Sequence, residues 1–123
     1  MQLLLDTHAV LWWLSGDDYL SENQSRSIAD RRNTRFVSAV TIWEISINQS
    51  IGKIDIASEY PDVLRAQGFI ELPISWKHAQ EVSNLSHYHR DPFDRLLIAQ
   101  ARIEDMTLVT SDPEIVKYDV KTV

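Results

Sequence analysis

The chain of 123 residues contains no cysteine, so neither a disulfide framework nor a thiolate metal site is open to it. That suits a reducing compartment, and a cytoplasmic location is the expectation. Glycine is scarce, limited to Gly16, Gly52 and Gly68, and no glycine-rich loop follows an apolar run. A dinucleotide-binding fingerprint is thereby disfavoured. No apolar stretch approaches the roughly 18 residues of a membrane span. The start, MQLLLDTH, has one short apolar run broken by Asp6 and no basic segment, so it does not read as a signal peptide. Positive charge is also short: 12 Lys and Arg face 18 Asp and Glu, for a net charge of -6. This argues against a broad basic surface that binds nucleic acid non-specifically. It does not exclude a nuclease, because clustered carboxylates lower the net charge and a bound cation reverses their local field. An acidic chain equally suits a basic partner protein.

The length predicts one domain over residues 1–123, able to bury roughly 65% of its unfolded surface without staples. No linker, repeat or low-complexity segment divides it. Residues 2–6, QLLLD, read as a buried strand with the acid emerging at its carboxyl end. A helix over 7–14 follows, ended by the turn cluster Ser15-Gly16-Asp17-Asp18. Ser21-x-x-Gln24 matches a capping box for a helix over 21–32, and 34–38 is the second strand. The segment 39–51 is apolar over much of its circumference, through Ile42, Trp43, Ile45 and Ile47, and reads as a buried helix closed by Gly52. Thr41-x-x-Glu44 is a further capping-box match within it.

A helix over 58–67 stops at Gly68, and a third strand over 69–74 is shortened by Pro73. A helix capped by Ser75 precedes the polar loop 86–90. The strongest helix is 92–104, with Asp91 as N-cap and Pro92 at its first position. A strand over 107–110, a short helix begun by Ser111-Asp112-Pro113, and a final strand over 118–123 complete the chain. Helices alternating with short apolar strands predict an α/β fold whose parallel sheet is covered on both faces, with right-handed crossovers.

Four acids recur at comparable junctions. Asp6 ends the first strand, Glu44 lies in the first turns after the second, Asp94 is in the first turn of the helix before the fourth, and Asp112 follows the fourth. In open α/β sheets the ligand crevice lies beyond the strand carboxyl ends. Two carboxylates about 4 Å apart repel by about 4 kcal/mol at an effective dielectric of 20. Gathered acids therefore need protons, a cation or intervening water. Hard oxygen ligands without thiolate suit Mg2+ or Mn2+, with no need of histidine. Such an ion activates a bound water and neutralises phosphate oxygens, which is the chemistry of phosphodiester hydrolysis. Taken singly, each acid also fits a local role: Asp94, Glu44 and Asp112 as helix-start residues, and Asp6 as an exposed strand end. Helix capping, however, does not require recurrence at strand ends.

Other residues carry weaker signals. Ser38 and Thr110 end their strands, where each fits either a cap or a bond to a metal-bound water. Arg95 lies four residues after Asp91, which suits an ordinary helical ion pair or a phosphate contact. His87 and His89 flank Tyr88 in the loop and read as surface or phosphate contacts ahead of a metal pair. His8 reads as packing in the first helix, and Arg26, Arg31, Arg32 and Arg35 as a solvated face open to RNA. Trp12 and Trp13 cannot both face the core from one helix, so one is expected to mark an exposed aromatic patch and an interface.

The segments LLLDTHAVLWWL, VSAVTIWEISI, HRDPFDRLLIAQA and LVTSD, in this order and spacing, resemble the PIN-domain family, especially the VapC toxins of bacterial toxin–antitoxin pairs. The similarity covers essentially the whole chain. It implies a PIN-like three-layer α/β/α sandwich with a central parallel sheet, and a Mg2+- or Mn2+-dependent endoribonuclease acting as a type II toxin. It also implies inhibition by a cognate antitoxin and homodimerisation. By position, Asp6, Glu44 and Asp94 match the family's three acids and Asp112 its more variable fourth. Asp6 and Asp94 would be the main metal ligands, with Glu44 and Asp112 completing the shell directly or through water. The helix bearing Glu44 is a common seat for an antitoxin, which would make Trp43 partner-facing. Two other functions compete. A receiver-type phosphoacceptor would want an acid pair after the first strand and a lysine after the last ones, and neither Asp6-Thr7 nor Ser111-Asp112 supplies them. A non-catalytic PIN-like interaction module would bind RNA unchanged after loss of Asp94.

Overall fold

The computed structural model describes residues 1–123. Four strands, β1 (Gln2–Leu5), β2 (Thr34–Ser38), β3 (Ile70–Leu72) and β4 (Thr107–Val109), form one wholly parallel sheet in the order β3-β2-β1-β4. Six α-helices connect or follow them: α1 (Thr7–Ser15), α2 (Glu22–Ala29), α3 (Ala39–Ser50), α4 (Tyr60–Ala66), α5 (Trp76–Glu81) and α6 (Pro92–Glu104). Because β1 is paired on both edges, Leu3, Leu4 and Leu5 are fully buried. Their alternation builds two cores. Leu3 and Leu5 join Val10 of α1, Ile28 of α2 and Leu64 of α4. Leu4 joins Leu97, Ile98 and Ala101 of α6 on the other side. The sandwich is therefore three layers deep, and each of these leucines contributes on the order of 1.5–3 kcal/mol by leaving water.

Several predicted boundaries move, for local reasons. The capping box of Ser21 and Gln24 forms, but α2 ends at Ala29 instead of 32. Thr41-x-x-Glu44 is not a capping box. β2 runs directly into α3, so the cap falls on the last strand residue, Ser38, whose hydroxyl accepts from the Val40 N–H at 3.0 Å. Glu44 therefore sits well inside α3. Residues 118–123 do not form a strand. They make one parallel bridge, Leu108 to Thr122, preceded by a single 3-10 turn, Ile115–Lys117.

Arg35 is not part of a solvated face. It is buried in β2, donates to the carbonyls of Ile28 at 3.1 Å and Gln67 at 2.6 Å, and lies 4.6 Å over the Phe69 ring. Those carbonyls close α2 and α4, where a cation meets the negative ends of the helix dipoles. Gly68 is held at φ +91, and a Cβ there would come within 2.9 Å of the Arg35 guanidinium. Gly68→Ala is expected to lower the unfolding free energy by about 1–2 kcal/mol, from left-handed strain plus displacement of Arg35. Urea titration checks this, and an unchanged midpoint and slope would contradict it.

Candidate metal centre

A parallel sheet brings its strand carboxyl ends to one edge. Asp6 leaves β1 there, Ser38 leaves β2, and Thr110 to Asp112 follow β4. Asp6 is buried in extended backbone, and its Oδ1 accepts from the Ala9 N–H at 2.8 Å, so it caps α1. Glu44 reaches toward α1, where the Thr7 hydroxyl donates to its Oε1 at 2.6 Å. Asp91 caps α6 by accepting from the N–H groups of Phe93 and Asp94 at 2.8 and 3.2 Å, with Pro92 in the first position. That cap sets Asp94 in the first turn. Asp112 accepts from the Glu114 N–H at 2.8 Å, while its own N–H donates to the Thr110 hydroxyl at 3.1 Å. Asp6 Oδ1, Glu44 Oε1 and Asp112 Oδ1 are thus each held by a local bond.

The closest approach involves His89, not a second acid. Its Nε2 lies 2.8 Å from Asp94 Oδ2 and 3.4 Å from Asp112 Oδ2. One ligand atom from each of these three residues falls within 4.8 Å of the others. Asp6 and Glu44 stand outside that triangle but feel its charges. Asp6 is coupled to Asp112, Glu44 to Asp91 and Asp6, and Asp94 to Asp91 and Glu44. Burial pushes the Asp94 carboxyl up to about 6; the His89 hydrogen bond opposes this, and the charges of Asp91 and Glu44 add to it. Burial also raises Asp6, against bonds from Thr110 and Ala9, and raises Glu44, against the bond from Thr7. For His89, burial disfavours charge, yet the bond and charge of Asp94, with Asp112 and Asp91, lift it above the ordinary imidazole value. Burial is the first cause for the three acids, and the nearby negative charges add to it and lift His89 against its own burial.

The surrounding residues sort differently from their sequence readings. Ser38 is fully buried and uses its hydroxyl to cap α3 and to donate to Gln100 at 2.5 Å. Thr110 stays at the centre, beside Asp6. Arg95 forms no pair with Asp91. The loop 86–90 folds back over the start of α6, and Arg95 donates to the carbonyls of Ser86, His89 and Val82 and to Tyr118 Oη. His87 is exposed, so only one of the two loop histidines turns inward. The His8 ring lies 5.6 Å from that of Trp12, tilted by 36°. Trp12 also meets Tyr19 at 5.5 Å, whereas Trp13 packs on Phe69 and donates to Gln67, and both indoles are half-buried. Gln24, expected only to close a capping box, also donates to the carbonyls of Thr110 and Val123 at 3.0 and 3.1 Å. It thereby anchors the segment that leads into Asp112.

The donors, carboxylates with one imidazole and no thiolate, fit a hard or borderline dication such as Mg2+ or Mn2+. A cation there would stabilise the charged form of acids that burial first, and neighbouring acids second, hold above their ordinary values. The class so defined is a three-layer α/β domain with an acidic cluster at the carboxyl edge of its sheet. The PIN domain family model matches residues 3–121, and the chain belongs to that family, whose members are generally divalent-metal-dependent nucleases.

Its fold is similar to that of VapBC2 from Rickettsia felis bound to a promoter DNA fragment, with TM-score 0.73 and 17% identity over 100% of this chain and 98% of that one. A toxin–antitoxin complex from Klebsiella pneumoniae gives TM-score 0.63 and 16% identity over 98% and 95%. VapBC-1 from nontypeable Haemophilus influenzae gives 0.65 and 13% over 100% and 97%. At these identities the likeness concerns the fold. No curated protein sequence matches the chain.

The raised groups set a sign for stability. An acid whose folded value exceeds its unfolded one stabilises the fold while protonated and loses that contribution as pH rises through the folded value. A raised histidine contributes below its unfolded value and loses that contribution on the way up, so both act in one direction. In EDTA, Asp94→Asn is expected to gain about 1–2 kcal/mol on the wild type between pH 5 and pH 8. Urea unfolding of both proteins measures this, and a pH-independent difference would contradict the crowded centre.

Proposed function

We propose that this protein is a Mg2+- or Mn2+-dependent endoribonuclease and the toxin of a type II toxin–antitoxin pair. Residues 1–123 form its single nuclease domain, acting in the cytoplasm as a homodimer. The observation that carries the reading is the gathering of Asp94, Asp112, Asp6 and Glu44, charged against one another at the sheet edge of a PIN-family chain. Asp6 and Asp94 are the principal ligands, and Glu44 and Asp112 complete the shell directly or through water. The dication, when bound, supplies Lewis-acid stabilisation of phosphate oxygens and a more acidic water. The chain supplies position. Thr7 orients Glu44, Thr110 and Ala9 orient Asp6, and the Asp91 cap fixes the turn that presents Asp94.

A partner surface supports the toxin role. Val37, Ile42, Trp43, Pro61 and Leu64 line a groove of about 440 Å3 between α3 and α4, and Trp43 is 55% exposed. An apolar antitoxin segment would cover it, as suits a chain sharing its fold with a solved toxin–antitoxin complex. No helix is long and apolar enough to cross a membrane. A receiver-type reading is disfavoured, because Asp6-Thr7 supplies no acid pair after β1 and Ser111-Asp112 no lysine after β4.

Purified protein is expected to cut single-stranded RNA internally with Mg2+ or Mn2+ and to stop in EDTA. Asp94→Asn and Asp6→Asn should each reduce cleavage by about 100-fold or more, beyond what loss of a mere supporting group costs. Activity retained in both variants would sink the assigned centre. RNA binding left intact, with no cleavage by the wild type under any dication, would favour the non-catalytic module.

A further inference from the structure

We propose that His89 is a nitrogen ligand of the centre. Its Nε2, with the carboxylates of Asp94 and Asp112, would form a mixed nitrogen–oxygen site that selects a transition dication of the Mn2+ class over Mg2+. The proposal rests on the metal-nuclease reading above and deepens it, naming the side chain that sets the preference among cations.

The geometry admits neighbouring ligands, and its shortest separation is also that of a hydrogen bond. Donors about 2.0–2.1 Å from an octahedral dication lie about 3 Å apart when adjacent and about 4 Å apart when opposite. His89 Nε2 stands 2.8 Å from Asp94 Oδ2 and 3.4 Å from Asp112 Oδ2, and all three residues offer donors within 4.8 Å of one another. Both acids converge on the same ring nitrogen.

The loop that delivers the ring is tied down. The His89 N–H donates to Tyr118 Oη at 2.9 Å, and its carbonyl accepts from Arg95 Nη1 at 3.3 Å. Arg95 also holds the Ser86 carbonyl at 2.8 Å, and the buried Tyr118 meets Tyr88 edge-on at 5.1 Å. His89 is thus placed by the fold, with its side chain 19% exposed. His87, two residues earlier, is open to solvent.

Imidazole nitrogen is a borderline donor. It adds affinity for Mn2+ and later first-row ions, whereas Mg2+ favours oxygen and keeps its waters. The rival role for the ring is that of a counter-charge that keeps the Nε2 proton and yields its place to the cation.

Pulsed electron paramagnetic resonance separates the two. Mn2+ bound to metal-free wild-type protein should show the 14N modulation of a directly bound imidazole, converted to the 15N pattern when the protein carries 15N-histidine. The modulation should vanish in His89→Gln and persist in His87→Gln. Mn2+ affinity in His89→Gln should fall by about tenfold or more, while Mg2+ affinity, read by competition, changes little. Bound Mn2+ without nitrogen modulation in the wild type, or with modulation unchanged in His89→Gln, overturns the assignment. The labelled wild type decides the matter even if the variant does not fold. If Mn2+ does not bind at all, the metal-nuclease reading falls as well; if Mn2+ binds, RNA is cut and nitrogen modulation is absent, only His89 is wrongly placed.

Discussion

Carboxylates drawn together in a half-buried crevice resist ionisation, and the protein must hold them there against their own repulsion. The parallel sheet does most of that work. With β1 central, the carboxyl ends of β1, β2 and β4 open on one edge, and each passes within a few residues to an acid or to the helix that bears one. Small local bonds then fix each group: Ala9 and Thr110 on Asp6, Thr7 on Glu44, Glu114 on Asp112, and His89 on Asp94. None of these bonds removes the excess charge. Burial still raises Asp6, Glu44 and Asp94, so the folded chain holds these carboxyls where their charge is disfavoured.

The same helices serve more than one purpose. Asp6 and Asp91 both cap helices and both place negative charge near Glu44, so one side chain can fix a helix start and add to the local field. α3 carries Glu44 toward the acids and Trp43 toward the apolar groove. Trp43 packs edge-on against Phe93 at 4.8 Å, one residue before Asp94. The groove and the acidic centre are therefore joined by direct contact between α3 and the first turn of α6.

Much of this was legible in residue order. The leucine run ending in Asp6, the Asp91-Pro92 helix start and the Ser21–Gln24 box depend on neighbours in sequence, and all three form. The three-layer parallel fold followed from the alternation of elements. What escaped depends on contacts between distant segments. Arg35 reads as one more surface cation until the carbonyls of Ile28 and Gln67 are brought to it. Glu44 reads as a capping acid until β2 is seen to run into α3 without a loop. His89 reads as a loop histidine because nothing local shows that Tyr118 and Arg95 turn it inward. The last segment has strand-like composition but room for a single bridge beside β4.

The central claim is that these acids hold a divalent cation. Crystals soaked in Mn2+ and measured for anomalous scattering test it most directly. A strong peak bounded by Asp6 and Asp94, with Glu44 or Asp112 reaching it directly or through water, is the predicted result. The absence of any peak at this edge under saturating Mn2+, with ordered carboxylates left unliganded, would contradict it.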